Sequence, residues 1–123
     1  MPVSNAFLDF VQEQIAALGV VTSRRFFGGR GIYLDGLIVA FIIDDVLHFK
    51  VDDLTRHHFA AEASKPFIYQ TKLGAQTING YWQAPERLFD DPDAMHEFAL
   101  LALAASRRAD AAKRRPPKPA RKR

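Results

Sequence analysis

The residues with the best-defined chemistry stand at the C-terminus. From Arg107 to Arg123 the chain holds nine Lys/Arg against one acid, Asp110. Seven of these cations, Lys113, Arg114, Arg115, Lys118, Arg121, Lys122 and Arg123, share a short stretch with Pro116, Pro117 and Pro119. Such a Pro–Lys–Arg composition cannot build a core and is expected to stay disordered and extended. Eight net positive charges over seventeen residues attract polyanions through counterion release, without sequence preference. Weak, non-specific nucleic-acid contact through the tail is therefore expected, although a solvated tail with no selected partner has the same composition. With neither a lipidation motif nor an apolar anchor, stable membrane attachment is not expected.

A second set of residues is aromatic. Tyr33, Tyr69, Tyr81 and Trp82 could form a base-stacking platform of the kind sheet-based RNA readers use. Lys50, Tyr69, Tyr81 and Trp82 are the residues expected to line an open sheet face that takes a ligand or a partner. Charge weighs against stacking. Residues 1–106 carry eight basic and thirteen acidic side chains, so the body is −5 while the tail is +8. Single-strand binders pair stacking with a basic groove, and no basic face is evident in the body. Core packing and a half-exposed sheet are the simpler account of these rings.

Other chemistries find little support. Gly28-Gly29-Arg30-Gly31 has the composition of a phosphate loop but not the spacing, because a dinucleotide fingerprint needs a third glycine where Leu34 stands. A helix must also follow such a loop, and here the pattern predicts a strand. Of the four histidines, His57 and His58 are adjacent and point about 100° apart on a helix, so they cannot chelate one ion together. The chain has no cysteine, which excludes disulfides, thiolate metal sites and cysteine nucleophiles. None of Ser4, Ser23, Ser64 or Ser106 sits in a nucleophile elbow. No catalytic residue, metal or cofactor is expected.

The elements that must position these residues read as an α+β domain. Ser4 can cap a helix whose apolar positions Phe7, Leu8, Val11, Ile15 and Leu18 follow helical spacing, with Gly19 suited to its end. Strands follow over 20–27, 30–34, 37–43 and 46–51. Their connections are Gly28-Gly29, Asp35-Gly36 and Asp44-Asp45, turns short enough to demand an antiparallel meander. Leu37 to Ile43 is apolar on both faces and belongs centrally in the sheet. Asp52 or Asp53 caps a short middle helix over 54–63. A further hairpin pairs 67–73 with 76–83 across Gly74-Ala75, and Asn79-Gly80 reads as a bulge within its second strand. Asp91-Pro92 opens a C-terminal helix whose apolar face fades near Arg107. The domain is thus expected over 1–106 and the tail over 107–123.

Length and composition agree with one domain. At 123 residues and 48% hydrophobic, the chain can bury roughly two-thirds of its unfolded surface in an unstapled core. Its longest apolar run, Leu37 to Ile43, is far short of the roughly 20 residues a membrane-crossing helix needs. The first Lys or Arg is Arg24, so no basic segment precedes an apolar stretch and a cytoplasmic location is expected.

The run Arg24-Arg25-Phe26-Phe27-Gly28-Gly29-Arg30-Gly31-Ile32-Tyr33-Leu34-Asp35-Gly36 carries a family resemblance. With Asp44-Asp45, Leu47 to Asp52, Pro66-Phe67-Ile68-Tyr69, Tyr81-Trp82, Pro85 and Asp91-Pro92 following in order, it resembles the TfoX/Sxy N-terminal domain. The likeness covers about residues 5–106. Phe26-Phe27 departs from the methionine-phenylalanine usual there, an apolar swap of tolerated kind. Proteins with this domain are named for regulators of bacterial competence that work with the cyclic-AMP receptor protein. The resemblance implies the fold, a regulatory role through a protein partner, and no catalytic residues. Those regulators carry a second, C-terminal domain, so a single-domain member with a basic tail is expected. The alternative is a small-molecule-binding domain or an enzyme using the open sheet face. A homodimer formed through sheet edges or faces fits either reading.

Overall fold

The computed structural model describes residues 4–26 and 28–114. Helix α1 (Asn5–Ile15) starts where the sequence predicts, with the Ser4 hydroxyl accepting from the Phe7 amide at 3.1 Å. It tightens into a 3₁₀ turn over Ala16–Leu18. The meander follows as β1 (Val21–Phe26), β2 (Gly29–Leu34), β3 (Leu37–Ile43) and β4 (Val46–Lys50). Asp35 and Gly36 have φ of 50° and 86°, and Asp44 and Asp45 of 53° and 56°. These are the left-handed pairs that two-residue hairpins require, in residue types that tolerate them.

Helix α2 (Arg56–Ala61) is shorter than expected. The Asp52 carboxylate, instead of capping a helix at residue 54, accepts from the Leu54 amide and the Thr55 hydroxyl in a local turn. Next come β5 (Pro66–Thr71) and β6 (Gly74–Gln83), joined at Lys72-Leu73 instead of Gly74-Ala75. The Thr71 hydroxyl closes this turn, accepting from the Leu73 amide and donating to the Gly74 carbonyl. The Asn79-Gly80 bulge is present. Pro66 faces Trp82 while the next residue, Phe67, faces Ile78, so β6 accommodates extra residues between those pairs. After a 3₁₀ turn over Glu86–Asp90, helix α3 (Pro92–Arg114) starts with the Asp91 carboxylate accepting from the Ala94 amide.

All neighbouring strands are antiparallel, in the order β1-β2-β3-β4-β6-β5, which makes the protein an α+β fold with one six-stranded sheet and three helices. The apolar strand β3 is central, as its composition predicts. The helices lie on one face of the sheet. There Leu8, Val11 and Ile15 of α1 and Met95, Phe98, Ala99 and Ala102 of α3 close over Ile32, Leu34, Ile42, Leu47 and Phe49. Phe59 of α2 completes this core, meeting Phe98 edge-on with centroids 5.1 Å apart. Full burial of side chains of this size contributes about 1.5–3 kcal/mol each.

The C-terminal boundary differs from expectation. Residues 107–114, read from sequence as the start of an extended tail, continue α3. Loss of an apolar face does not end a helix whose exposed residues are Ala, Arg and Lys, all strong helix formers. The Arg108 guanidinium also grips Asp52 through Nε at 2.6 Å and Nη2 at 3.0 Å, fastening this extension to the loop after β4. Residues 115–123, including Arg115, Lys118, Arg121, Lys122 and Arg123, lie outside the described residues.

Candidate functional site

The helix-free face of the sheet is where cations and aromatic rings meet. Alternation sends Thr22, Arg24 and Phe26 of β1 to this face, with Tyr33 of β2, Phe41 of β3, His48 and Lys50 of β4, and Tyr81 of β6. Phe41 is fully buried although no helix covers it, because neighbouring rings close around it. Its centroid lies 4.7 Å from Tyr81, 4.8 Å from His48, 4.9 Å from Phe67 and 5.2 Å from Phe26. Phe26 also reaches Tyr81, with centroids 6.0 Å apart. Strands β1 and β6 stand four positions apart in the sheet, roughly 19 Å at ordinary strand spacing. The sheet therefore curls toward this face. Gly31 makes room for the inner rings: a Cβ there would come within 3.2 Å of the Tyr33 ring and 3.3 Å of Phe26 Cβ.

Above this floor each of two cations sits on a tyrosine. The Arg24 guanidinium lies 4.7 Å from the Tyr33 centroid, and Lys50 Nζ lies 5.2 Å from that of Tyr81. Such cation–π pairs contribute about 0.5–1 kcal/mol at exposed sites. The two tyrosines are close enough for their charges to interact, and burial followed by Tyr33 pushes the Tyr81 phenol up to about 12. Burial also lowers Lys50, helped by repulsion from Lys113 and opposed by attraction to Asp52. Lys113 on α3 thus belongs electrostatically to the same neighbourhood as Lys50. Asp52 is held below the usual carboxylate range, first by its hydrogen bond from Arg108.

His48 is the buried polar member of this cluster, only 3% exposed. Desolvation lowers its imidazole to about 4, against partial opposition from the backbone of Val46 and Phe41. Those backbone groups do not give Nδ1 a well-formed hydrogen bond, so His48 is a neutral ring packed among aromatics.

Three of the four residues expected on the open face are on it: Lys50, Tyr81 and, out on the β5–β6 hairpin, Tyr69, whose ring is 6.2 Å from Phe67. Trp82 is not. It pairs with Phe49, so its indole turns to the helix side and packs against the core, while Nε1 donates to the Asn79 carbonyl at 3.2 Å. The reason is parity, since adjacent strand residues point to opposite faces. Sequence reasoning named Tyr33 among the possible stacking rings but missed Arg24 as its partner, although the alternation of Thr22, Arg24 and Phe26 carried that signal. None of the fourteen acids lies in a strand; of the strand cations, Arg24 and Lys50 are on the helix-free face, while Arg25 and Arg30, in register with Ile42 and Leu47, are on the other.

Two grooves lie elsewhere. One of about 510 Å³ runs between α1, the turn after β3 and the segment after β6, lined by Phe7, Asp45, Glu62, Pro85, Glu86 and Phe89 among others. A smaller one of about 210 Å³ lies beside Asp44, His48, Lys65 and Phe67. Neither of these two is lined by Lys50, Tyr69 or Tyr81. No cluster of three metal-ligating side chains occurs among the described residues. No helix among them is long and apolar enough to cross a membrane.

The family model described as the TfoX N-terminal domain matches residues 13–106 of the 123. No curated protein matches the chain.

Proposed function

The chain belongs to the TfoX N-terminal domain family, and from that membership we propose that it is a non-enzymatic regulatory module. It acts in the cytoplasm by contact with a protein of the transcription machinery, and its basic C-terminal end adds sequence-independent affinity for nucleic acid. The observation that carries this reading is the extent of the family match, which takes in most of the folded body and stops at Ser106, where the cationic sequence begins. Residues 107–114 of this cationic sequence extend α3, and Arg108 is tied to Asp52. The competence association of the family makes the cyclic-AMP receptor protein and RNA polymerase the partners to test.

Two measurements test the reading. The full chain should bind purified cyclic-AMP receptor protein or RNA polymerase in solution; failure with both removes the regulatory role proposed here. Duplex DNA affinity should fall steeply with salt. It should also drop when Lys113, Arg114, Arg115, Lys118, Arg121, Lys122 and Arg123 are changed together to glutamine. Unchanged affinity in that variant removes the role of the C-terminal end.

A further inference from the structure

We propose that the helix-free sheet face, organised around the Arg24–Tyr33 and Lys50–Tyr81 pairs, binds single-stranded nucleic acid through its bases as well as its phosphates. The inference rests on the nucleic-acid affinity proposed for the C-terminal end and gives it a second, base-reading surface.

Charge complementarity identifies the occupant. The strands contain no acid, and neither Arg24 nor Lys50 has a carboxylate ion-pair partner among the described residues. The acid whose charge Lys50 feels, Asp52, already accepts from Nε and Nη2 of Arg108. The helix-free face thus carries Arg24 and Lys50 and no acid from any strand. Lys113 on α3 adds its positive charge to that felt at Lys50.

Aromatic placement favours a single strand over a duplex or an acidic peptide. Arg24 is exposed and lies over Tyr33, so the outer plane of its guanidinium is presented to solvent on a ring that backs it. Guanidinium planes and aromatic rings are the surfaces on which unpaired bases stack. Tyr69, 39% exposed on β5, offers a further ring across the same face. Duplex bases are stacked on one another and cannot reach such a surface, while an acidic peptide would use the cations and leave the rings idle. The buried rings beneath, Phe41 and Phe67 with His48, hold the floor rigid and position the tyrosines above it.

The test uses the full chain and fluorescent oligothymidylate of about twelve nucleotides, a length within single-strand site sizes. An oligouridylate, an abasic strand of equal phosphate count and a duplex of equal length serve as comparison probes. The parent should bind oligothymidylate or oligouridylate at least ten-fold more tightly than the abasic strand. Arg24→Ala, Lys50→Gln and Tyr69→Ala should each weaken single-strand binding about five-fold or more, with unchanged circular dichroism. The preference for bases over abasic sugar should shrink in Arg24→Ala and persist when the C-terminal cations are replaced by glutamine. Equal binding of abasic and base-bearing strands overturns the proposal, as do preference for duplex and parent-like binding by all three variants. Binding of an acidic peptide that is lost in the same variants, with no oligonucleotide binding, also overturns it and assigns the face to a protein. In any of these cases the salt-dependent affinity of the C-terminal end remains separately measurable.

Discussion

His48 should make the stability of this domain fall as the pH drops below neutral. The ring is 3% exposed, stacked on Phe41 and edge-on to Phe67 at 5.0 Å, in surroundings that cannot solvate an imidazolium. In the unfolded chain it protonates near 6.5, and in the folded domain at about 4. Between those values the unfolded state binds the extra proton, so stability is complete above about pH 6.5 and declines as pH falls toward 4. Linkage gives a loss of about 1.4 kcal/mol at about pH 5.5 and about 2.5 kcal/mol at about pH 4.5. For a domain whose whole stability is on the order of 5–15 kcal/mol, that is a large share. The assay is urea unfolding of the parent and of His48→Leu at about pH 7, 5.5 and 4.5, comparing the change with pH instead of absolute values. Leucine is of similar bulk and takes no proton, so its profile should be flatter by the amounts above. Carboxylates titrating over the same range contribute to both proteins and cancel. Parallel profiles for the two proteins would refute the reasoning, because a histidine that protonates equally in both states contributes nothing to the slope.

Two more outcomes follow from close packing and from the loop after β4. A Cβ at Gly29 would fall onto the Ile42 carbonyl oxygen, where the backbones of β2 and β3 meet. Gly29→Ala should therefore cost about 1–3 kcal/mol or more in denaturant unfolding, and a neutral result would mean the strands can part there without loss. The Arg108–Asp52 pair is partly solvated, with the two side chains 40% and 29% exposed, so a double-mutant cycle of Arg108→Ala and Asp52→Asn should give a coupling of about 0.5–1 kcal/mol. Because the Asp52 carboxyl is lowered, this coupling should be full near neutral pH and fade as the solution is acidified below the ordinary aspartate value. A coupling that is absent at neutral pH would show that the extension of α3 is held by helix propensity alone.

Much of this fold was legible locally. Ser4 and Asp91 are side chains that cap the helix beginning beside them, and each does so here. Asp35-Gly36 and Asp44-Asp45 take the positive φ that their types tolerate, which sets the meander, and the apolar strand β3 takes the central position that two buried faces require. The tail charge was legible in the same way, since net charge needs no fold to be counted. Where α3 stops was not, because Arg108 finds Asp52 fifty-six residues away and no local pattern announces that pair. Turn placement in the second hairpin slipped by two residues because Gly74-Ala75 and Lys72-Leu73 are both adequate turns locally. The register with Phe67 and Tyr69 settles which one forms.

The face itself was decided by tertiary structure. Strand alternation could set Lys50 with Tyr81 and apart from Trp82 only once β4 and β6 were known to be neighbours, which they are because β5 takes the sheet edge and β6 folds back between it and β4. Curling of the sheet then brings Phe26 to Tyr81 across three intervening strands, which no spacing in the sequence encodes. Sequence alone determined that the body is acidic in sum and the C-terminus basic. Only the folded arrangement decided which cations and rings share the helix-free face, because that depends on strand neighbours and register and not on total charge.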